Sequence, residues 1–340
     1  MEIAIVILNW NGLGMLQRYL PGVVASAAGF TGGGNDSAFV VVADNGSTDG
    51  STEYLASEWS GVKVLPFDRN YGFTGGYNRA LKQVEADYYI LLNSDVDTPA
   101  DWIKPLAAFM EEHPDVGICQ PKILADADRS HFEYAGACGG FIDRYGYPFC
   151  RGRILANIEA DRGQYDEPIE IFWATGACLM IRSSLYHHLG GLDESFFAHM
   201  EEVDLCWRAK RLGYQVWCVP QSKVYHLGGG TLPQDSPHKL YLNYRNNLLM
   251  LRKNLPDNIR LARMMMRFTL DRTSALIFLL TGRWSSFKAV LRAHRDYRRM
   301  KKDIEVNDEQ RGPLTGYYPH SIVLRYFLSR GRITFDRLDF

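Results

Sequence analysis

Short apolar runs alternate with amphipathic stretches through the first hundred residues. IAIVIL (3–8), AFVVVAD (38–44), VKVLPF (62–67) and YYILL (88–92) are rich in β-branched or aromatic side chains, the pattern of strands buried on both faces. Between the first two, a turn at Asn11-Gly12 opens a helical pattern from Leu13 to about Ala27, followed by the glycine-rich TGGGND. After the second, NGSTDGSTEYL offers Ser47 or Thr48 as a helix cap. The alternation predicts an α/β protein with a mostly parallel sheet. Polar residues at its strand ends mark the edge where such sheets bind ligands.

Beyond residue 116 the pattern loosens. The segment 116–180, with FEYAGACGGFIDRYGYPFC inside it, predicts hairpins or loops over one sheet edge. IFWATGACLMI (171–181) reads as another buried strand. A helix is expected to begin near His199, and QVWCV (215–219) to form a strand that stops in a turn at Pro220. HLGGGTLPQDSPHK has the composition of a mobile loop. Helical signals dominate from Leu240 to the end. The expected organisation is a domain over 1–250, with halves 1–115 and 116–250, and a helical extension over 251–340.

Composition narrows the function classes. The 340 residues are 46% hydrophobic, enough for one large core with an extension. A net charge of −1 argues against a general nucleic-acid binder. The opening MEIAIVILNWNG lacks a basic n-region, and no apolar run approaches the roughly 20 residues of a bilayer span. The expected compartment is therefore the cytoplasm. Six cysteines without a CxxC pair read as reduced, packed thiols, and the sequons at Asn35 and Asn45 as chance matches. Charge is unevenly distributed, however. From Arg252 to Lys302, fourteen Lys or Arg face three Asp and no Glu, a local +11 against −12 elsewhere. ALIFLL, Trp284, Phe287 and Val290 lie among those cations. Two readings stay open, a helical pair resting on an anionic membrane surface and an ordinary solvated face.

Candidate chemistry concentrates at the strand ends. Gly12-Leu-Gly14 begins a dinucleotide fingerprint, but Gln17 stands where the third glycine belongs, and Asp44 lies farther along than that motif requires. LLNSDVD (91–97) is more informative, because an apolar run ends in two aspartates one residue apart. Asp95 and Asp97 together can hold Mg²⁺ or Mn²⁺, which take hard oxygen ligands and bridge phosphate oxygens. Asp44 can accept hydrogen bonds from a nucleobase or ribose. Each has a structural alternative: Asp44-Asn45-Gly46 is also a good turn, and Asp97-Thr-Pro-Ala a helix start.

VILNWNG, VVADNGSTDGS, NYGFTGGYNRAL, LLNSDVD, GACLMIR, GGLDESFF and EEVDLCWRAKRLGY, in that order over about residues 3–250, resemble the family 2 glycosyltransferases. The likeness is strongest to the bacterial branch that transfers rhamnose or related sugars to surface polysaccharides. It implies a GT-A, Rossmann-like nucleotide-diphospho-sugar transferase fold. It also implies that Leu8, Asn9 and Asn11 line the nucleotide pocket, that Asp44 contacts the base, and that Asn70, Gly72 and Asn78 form its floor. Asn93, Ser94 and Asp95 would lie along the nucleotide-sugar, with Asp95 near the ribose and Asp97 the direct metal ligand. His226 would complete the metal site, and the loop from Leu227 to Lys239 would close over the sugar donor. Glu201-Glu202 stands where related chains carry Glu-Asp or Asp-Asp. Glu202 is assigned as base, with Glu201 as the alternative and Asp204 orienting the acceptor. Against this, acids in a first helical turn also suit the helix dipole. Trp173, Thr175 and Gly176 would sit beneath the acceptor, and Arg245 is a pyrophosphate partner or a plain surface residue.

These readings combine into an inverting, metal-dependent glycosyltransferase that uses a nucleoside-diphosphate sugar, dTDP-rhamnose or a UDP-sugar. The acceptor would be a glycan or lipid-linked molecule, and the enzyme would make at most peripheral contact with the inner membrane surface. A non-catalytic nucleotide-sugar sensor and a sugar-phosphate nucleotidyltransferase are the competing classes. The latter is disfavoured because NWNGLGMLQR supplies a single Arg.

Overall fold

Alternate residues of the first strand, β1 (Glu2–Asn9), face two different hydrophobic layers, which is why its apolar run is unbroken. Ile3, Ile5 and Ile7 pack with Leu16, Leu20 and Val23 of α1 (Leu13–Gly29), whereas Ala4 and Val6 pack with Tyr77, Ala80 and Leu81. The computed structural model describes residues 1–30, 36–228, 236–306 and 314–340. There β2 (Ser37–Asp44), α2 (Ser51–Glu58), β3 (Lys63–Pro66), α3 (Gly72–Leu81) and β4 (Tyr88–Asn93) follow in turn. The four strands run parallel in the order β3-β2-β1-β4. Pairing sets Asn9 level with Asp44 and Leu8 level with Asn93, so three polar strand ends share one rim. The cap expected at Ser47 or Thr48 is instead Gly50, in the left-handed conformation. Ser47 is engaged elsewhere, as described below.

The sheet then widens with mixed pairing. The next elements are β5 (Val96–Asp97), α4 (Ile103–Glu112), β6 (Val116–Ala125), β7 (Gly140–Asp143), β8 (Pro148–Cys150), β9 (Arg153–Ile154) and β10 (Asn157–Ile158). After them come β11 (Ile169–Glu170), β12 (Cys178–Arg182), α5 (Ser183–His188), α6 (Glu201–Arg211) and β13 (Gln215–His226). β12 enters antiparallel between β4 and β6, β13 runs parallel to β6, and β11 and β5 pair antiparallel with β13.

Three sequence expectations change here. β6 is a buried ten-residue strand where hairpins or loops were expected. Gln120, Pro121 and Lys122 interrupt its apolar pattern, and Lys122 is tolerated inside because Asp161 and Asp166 pair with its ammonium. The run 171–181 is not one strand. It crosses from β13 to β4, bending where Thr175 Oγ1 donates to Ala135 O at 2.6 Å, and becomes β12 only at Cys178. Pro220 makes no terminating turn either. β13 bulges between Val219 and Lys223, Ser222 Oγ donates to Trp102 O, and the strand continues to His226. All six cysteines are buried and unpaired.

α7 (Pro237–Asn254), α8 (Asp257–Leu280) and α9 (Trp284–Met300) pack together, as the helical pattern from Leu240 predicts. Beyond them the chain is not helical throughout. β14 (Tyr317–Tyr318) pairs in parallel with β7 and precedes α10 (Ile322–Leu328). β14 thereby joins β7–β10 in a second sheet, whose Phe141 and Phe149 pack against Phe335 and Phe340. Residues 229–235, the middle of the expected closing loop, and Asn35 lie outside the described residues.

α8 docks through polar contacts. Asp271 is fully buried, accepts from Arg267 Nε at 2.7 Å, and lies 3.1 Å from His294 Nε2 of α9. Removing one partner of a buried ion pair leaves an uncompensated charge. Asp271→Ala is therefore expected to cost about 3–5 kcal/mol in urea denaturation.

Candidate active site

The strand-end rim is laced by side chains from two loops. Asn9 Nδ2 donates to Asp44 Oδ1 at 2.9 Å and to Ser47 Oγ at 3.2 Å. Ser47 Oγ also accepts from the Asn11 amide, and Asn11 Oδ1 accepts from the Thr48 amide at 2.8 Å. Asn11 takes a positive φ of 49° to do so, a conformation asparagine tolerates better than most residues. The buried Asn9 Oδ1 is left without a hydrogen-bond partner. Asn45, not anticipated from sequence, ties this rim to α3 by donating to Asn70 Oδ1 and Gly72 O. Leu8 lies beneath, against Gly76, where any Cβ would clash with it.

β5 belongs to the β13 edge, so Asp97 is a strand residue and not the helix start that Asp97-Thr-Pro-Ala allowed; α4 begins at Ile103. This pairing brings His226 to Asp95, with Nε2 3.1 Å from Asp95 Oδ1. Glu133, absent from the sequence reading, lies 3.5 Å from His226 Nδ1, which is buried without a hydrogen bond. Burial pulls the basicity of His226 down, but Asp95 and Glu133 outweigh it and raise its pKa to about 10. Asp97 Oδ2 accepts from Arg129 Nη2 at 2.6 Å, and Arg129 also holds Asp126 at 2.8 Å while lying over the Tyr225 ring. Two protein cations thus stand among four carboxylates. Hard oxygens with one imidazole suit Mg²⁺ or Mn²⁺, and His226, protonated between its two carboxylates, would have to give up that proton to join them as a ligand. Among the described residues no three such side chains already converge on a common point.

A second acidic group opens α6. Phe197, His199 and Met200 all have positive φ, 67°, 70° and 72°, each costing on the order of 1 kcal/mol. Asn246 holds this loop in place, its Nδ2 lying within 2.9 Å of the carbonyls of Phe196, Ala198 and His199. The strained loop delivers Glu201 and Glu202, whose Oε2 atoms are buried without hydrogen-bond partners. Burial raises the pKa of Glu202 to about 7, against the lowering effect of nearby backbone amides. Burial and then the charge of Glu202 push Glu201 well up. His199 is held down to about 4 by burial and by the charges of Lys239 and His238, so it is neutral. A carboxyl poised near neutrality suits proton abstraction.

Several expected site residues are occupied structurally. Asp204 is fully buried and accepts from Arg208 Nε and Asn254 Nδ2, each at 2.7 Å, with Lys253 at 3.0 Å. Burial alone would raise its pKa, but Arg208 and Lys253 hold it below the usual range. It locks α6 to α7. Asn78 holds Leu192 through both amide atoms. Arg245 donates to Ser195 O and Phe196 O, supporting the strained loop. Trp173 Nε1 donates to Phe141 O and the Thr175 amide to Gln120, both residues being buried, whereas Gly176 is partly exposed beside Phe73. Asn70 Oδ1 accepts from the Gly72 amide, and Gly72 packs on Phe197. Asn93 is partly exposed at the rim and Ser94 follows it, near Gly12. A cavity of about 480 Å³ lies at the far end of α6, against Arg208 and Lys253, away from both acidic groups.

The geometry can be set beside known proteins. The model of Glycosyl transferase family 2 matches residues 4–190. Over 228 residues the chain is 28% identical to N-acetylglucosaminyl-diphospho-decaprenol L-rhamnosyltransferase of Mycobacterium tuberculosis, covering 62% of this chain and 74% of that one. It is 24% identical over 261 residues to dTDP-rhamnosyl transferase RfbF of Shigella flexneri, covering 73% and 82%. Among solved structures, GalNAc-T7 with UDP, GalNAc and Mn²⁺ superposes with a TM-score of 0.53 at 17% identity. That likeness covers 74% of this chain, which spans 47% of the other, and it shows the GT-A fold.

A raised carboxyl weakens the fold as it ionises. The Glu202 pKa moves from 4.5 to about 7, so the native state binds its proton more tightly than the unfolded chain. Stability from this group is full below 4.5 and is lost as pH rises through 7. Glu202→Gln is therefore expected to be more stable than the parent at pH 8 by up to about 3 kcal/mol, the advantage vanishing toward pH 4. Parallel urea titrations at the two pH values measure it.

Proposed function

The chain belongs to glycosyl transferase family 2, and from that premise we propose that it moves a sugar, with inversion, from a nucleoside-diphosphate donor to a hydroxyl acceptor. The observation that carries this reading is the Glu201–Glu202 pair, whose Oε2 atoms are buried with no hydrogen-bond partner among the described residues and whose second member titrates near 7. Glu202 takes the proton of the acceptor hydroxyl as its oxygen attacks the anomeric carbon. The diphosphate leaves as an anion and needs no proton, so one base suffices. Glu201 raises the charge sensitivity of the pair and is the alternative base. Asp204 and Arg245 act indirectly, by fixing α6 and the loop before it.

Asn9, Asn11 and Asp44 hold the nucleoside, with Leu8, Asn70, Gly72, Asn78, Asn93 and Ser94 shaping the pocket around them. Asp95, Asp97 and His226, with Glu133 behind, are the residues that would hold Mn²⁺ or Mg²⁺. When bound, such an ion neutralises charge on the departing diphosphate. Gly176 borders the acceptor, framed by Trp173 and Thr175. Similarity to proteins named as rhamnosyltransferases supports dTDP-rhamnose, or a related thymidine or uridine donor, and a glycan or lipid-linked acceptor.

Glu202→Gln is expected to keep donor affinity, read by calorimetry, while transfer falls by at least about 10²-fold. Near-normal turnover in that variant would remove Glu202 from the reaction. Asp97→Ala should abolish the Mn²⁺-dependent part of donor binding and leave the fold intact. Arg129 competes for the Asp97 carboxylate, so Arg129→Ala should tighten Mn²⁺ binding in the absence of donor by up to about fivefold. Calorimetry with the metal alone reads this.

A further inference from the structure

A surface helix ordinarily buries its apolar stripe and turns its charges to water. α8 does the reverse. It buries Arg260, Arg267 and Asp271 with Met264 and Ala275, and it exposes Leu261 (73%), Met265 (61%), Leu276 (52%) and Leu280 (77%). The outward positions from 261 to 280 fall at helical spacing on one stripe, about 28 Å long, and carry a single charge, Arg272. The buried charges are satisfied inside, Arg260 by Leu255 O and Arg267 by Asp271, so the polarity is built into the packing.

We propose that this face, with the α8–α9 turn, docks on an anionic lipid surface, an interaction beyond the transfer reaction itself. Charge selects the occupant. At the turn, exposed Arg283, Trp284 and Lys288 follow directly on Leu280, and α9 exposes Arg292 and Arg295. Tryptophan with flanking cations suits the headgroup layer. The segment 252–302 carries a net +11, which anionic headgroups would offset. Two copies meeting through this face would instead bring two such segments together. Among the described residues no helix is long and apolar enough to cross a membrane, so α8 lies along the surface, moored to the protein where Asp271 meets His294 of α9 and Arg267 donates to Tyr145 O.

Co-sedimentation of the full chain with vesicles, without donor or acceptor, tests this independently of the catalytic reading. Vesicles of equimolar phosphatidylglycerol and phosphatidylcholine should bind it at least about tenfold better than phosphatidylcholine alone, and added salt should weaken the difference. Leu276→Glu combined with Leu280→Glu should lower binding by at least about tenfold, with thermal unfolding unchanged. Arg283→Glu combined with Lys288→Glu should abolish the preference for phosphatidylglycerol. The proposal fails if the parent chain ignores phosphatidylglycerol vesicles, or if the leucine variant binds them as the parent does. It fails equally if the parent is a dimer that the leucine variant dissociates while vesicles stay unbound; a second copy is then the occupant.

Discussion

Negative charge gathered at the ends of buried strands governs this molecule. Asp95, Asp126 and Glu133, with buried side chains, and the partly exposed Asp97 lie near one another where β5, β6 and β13 run out. The protein compensates with an imidazolium between Asp95 and Glu133 and a guanidinium between Asp97 and Asp126. Such pairing satisfies the carboxylates while keeping their oxygens concentrated at one rim. Glu201 and Glu202 are the exception. Among the described residues no cation pairs with them, and burial holds both toward the neutral form.

Placing those two acids requires a scaffold under tension. Three residues in left-handed backbone, Phe197, His199 and Met200, precede α6, and the cost is offset by Arg245 and Asn246 of α7 and by the bond from Asn254 of α7 to the buried Asp204 of α6. α7 therefore supports the loop that carries Glu201 and Glu202. The same helical group reaches outward through α8 and α9, whose inverted polarity hands apolar surface to the exterior. One packed unit thus holds Glu201 and Glu202 on its inner side and presents an apolar, cationic face on its outer side.

Much of the parallel-sheet half was legible in the chain itself. β1 to β4, α1 and the start of α6 lie where periodicity puts them, because residues buried on both faces of a parallel sheet form unbroken apolar runs. β6 was not legible, since Lys122 at its centre is buried only through Asp161 and Asp166, some forty residues away. β13 outran its expected end for a related reason: Pro220 is absorbed in a bulge that Trp102 helps anchor. Glu133 and Arg129 followed no period; they are placed by the chain folding back onto the end of β6, where the Ala125 amide donates to His131 O and the Glu133 amide to Ile123 O.

By itself the sequence determined which residues bear charge, where the parallel strands begin and end, and the family to which the motifs belong. Those are local properties, encoded in side-chain pattern over a few positions. Tertiary structure alone decided what each polar group does. Asp204 and Glu202 are two residues apart on one helix, yet Arg208, Lys253 and Asn254 enclose the first while no described cation pairs with the second. Burial sets the energy of a charge, but its neighbours set the sign of the outcome, and neighbours are a property of the fold.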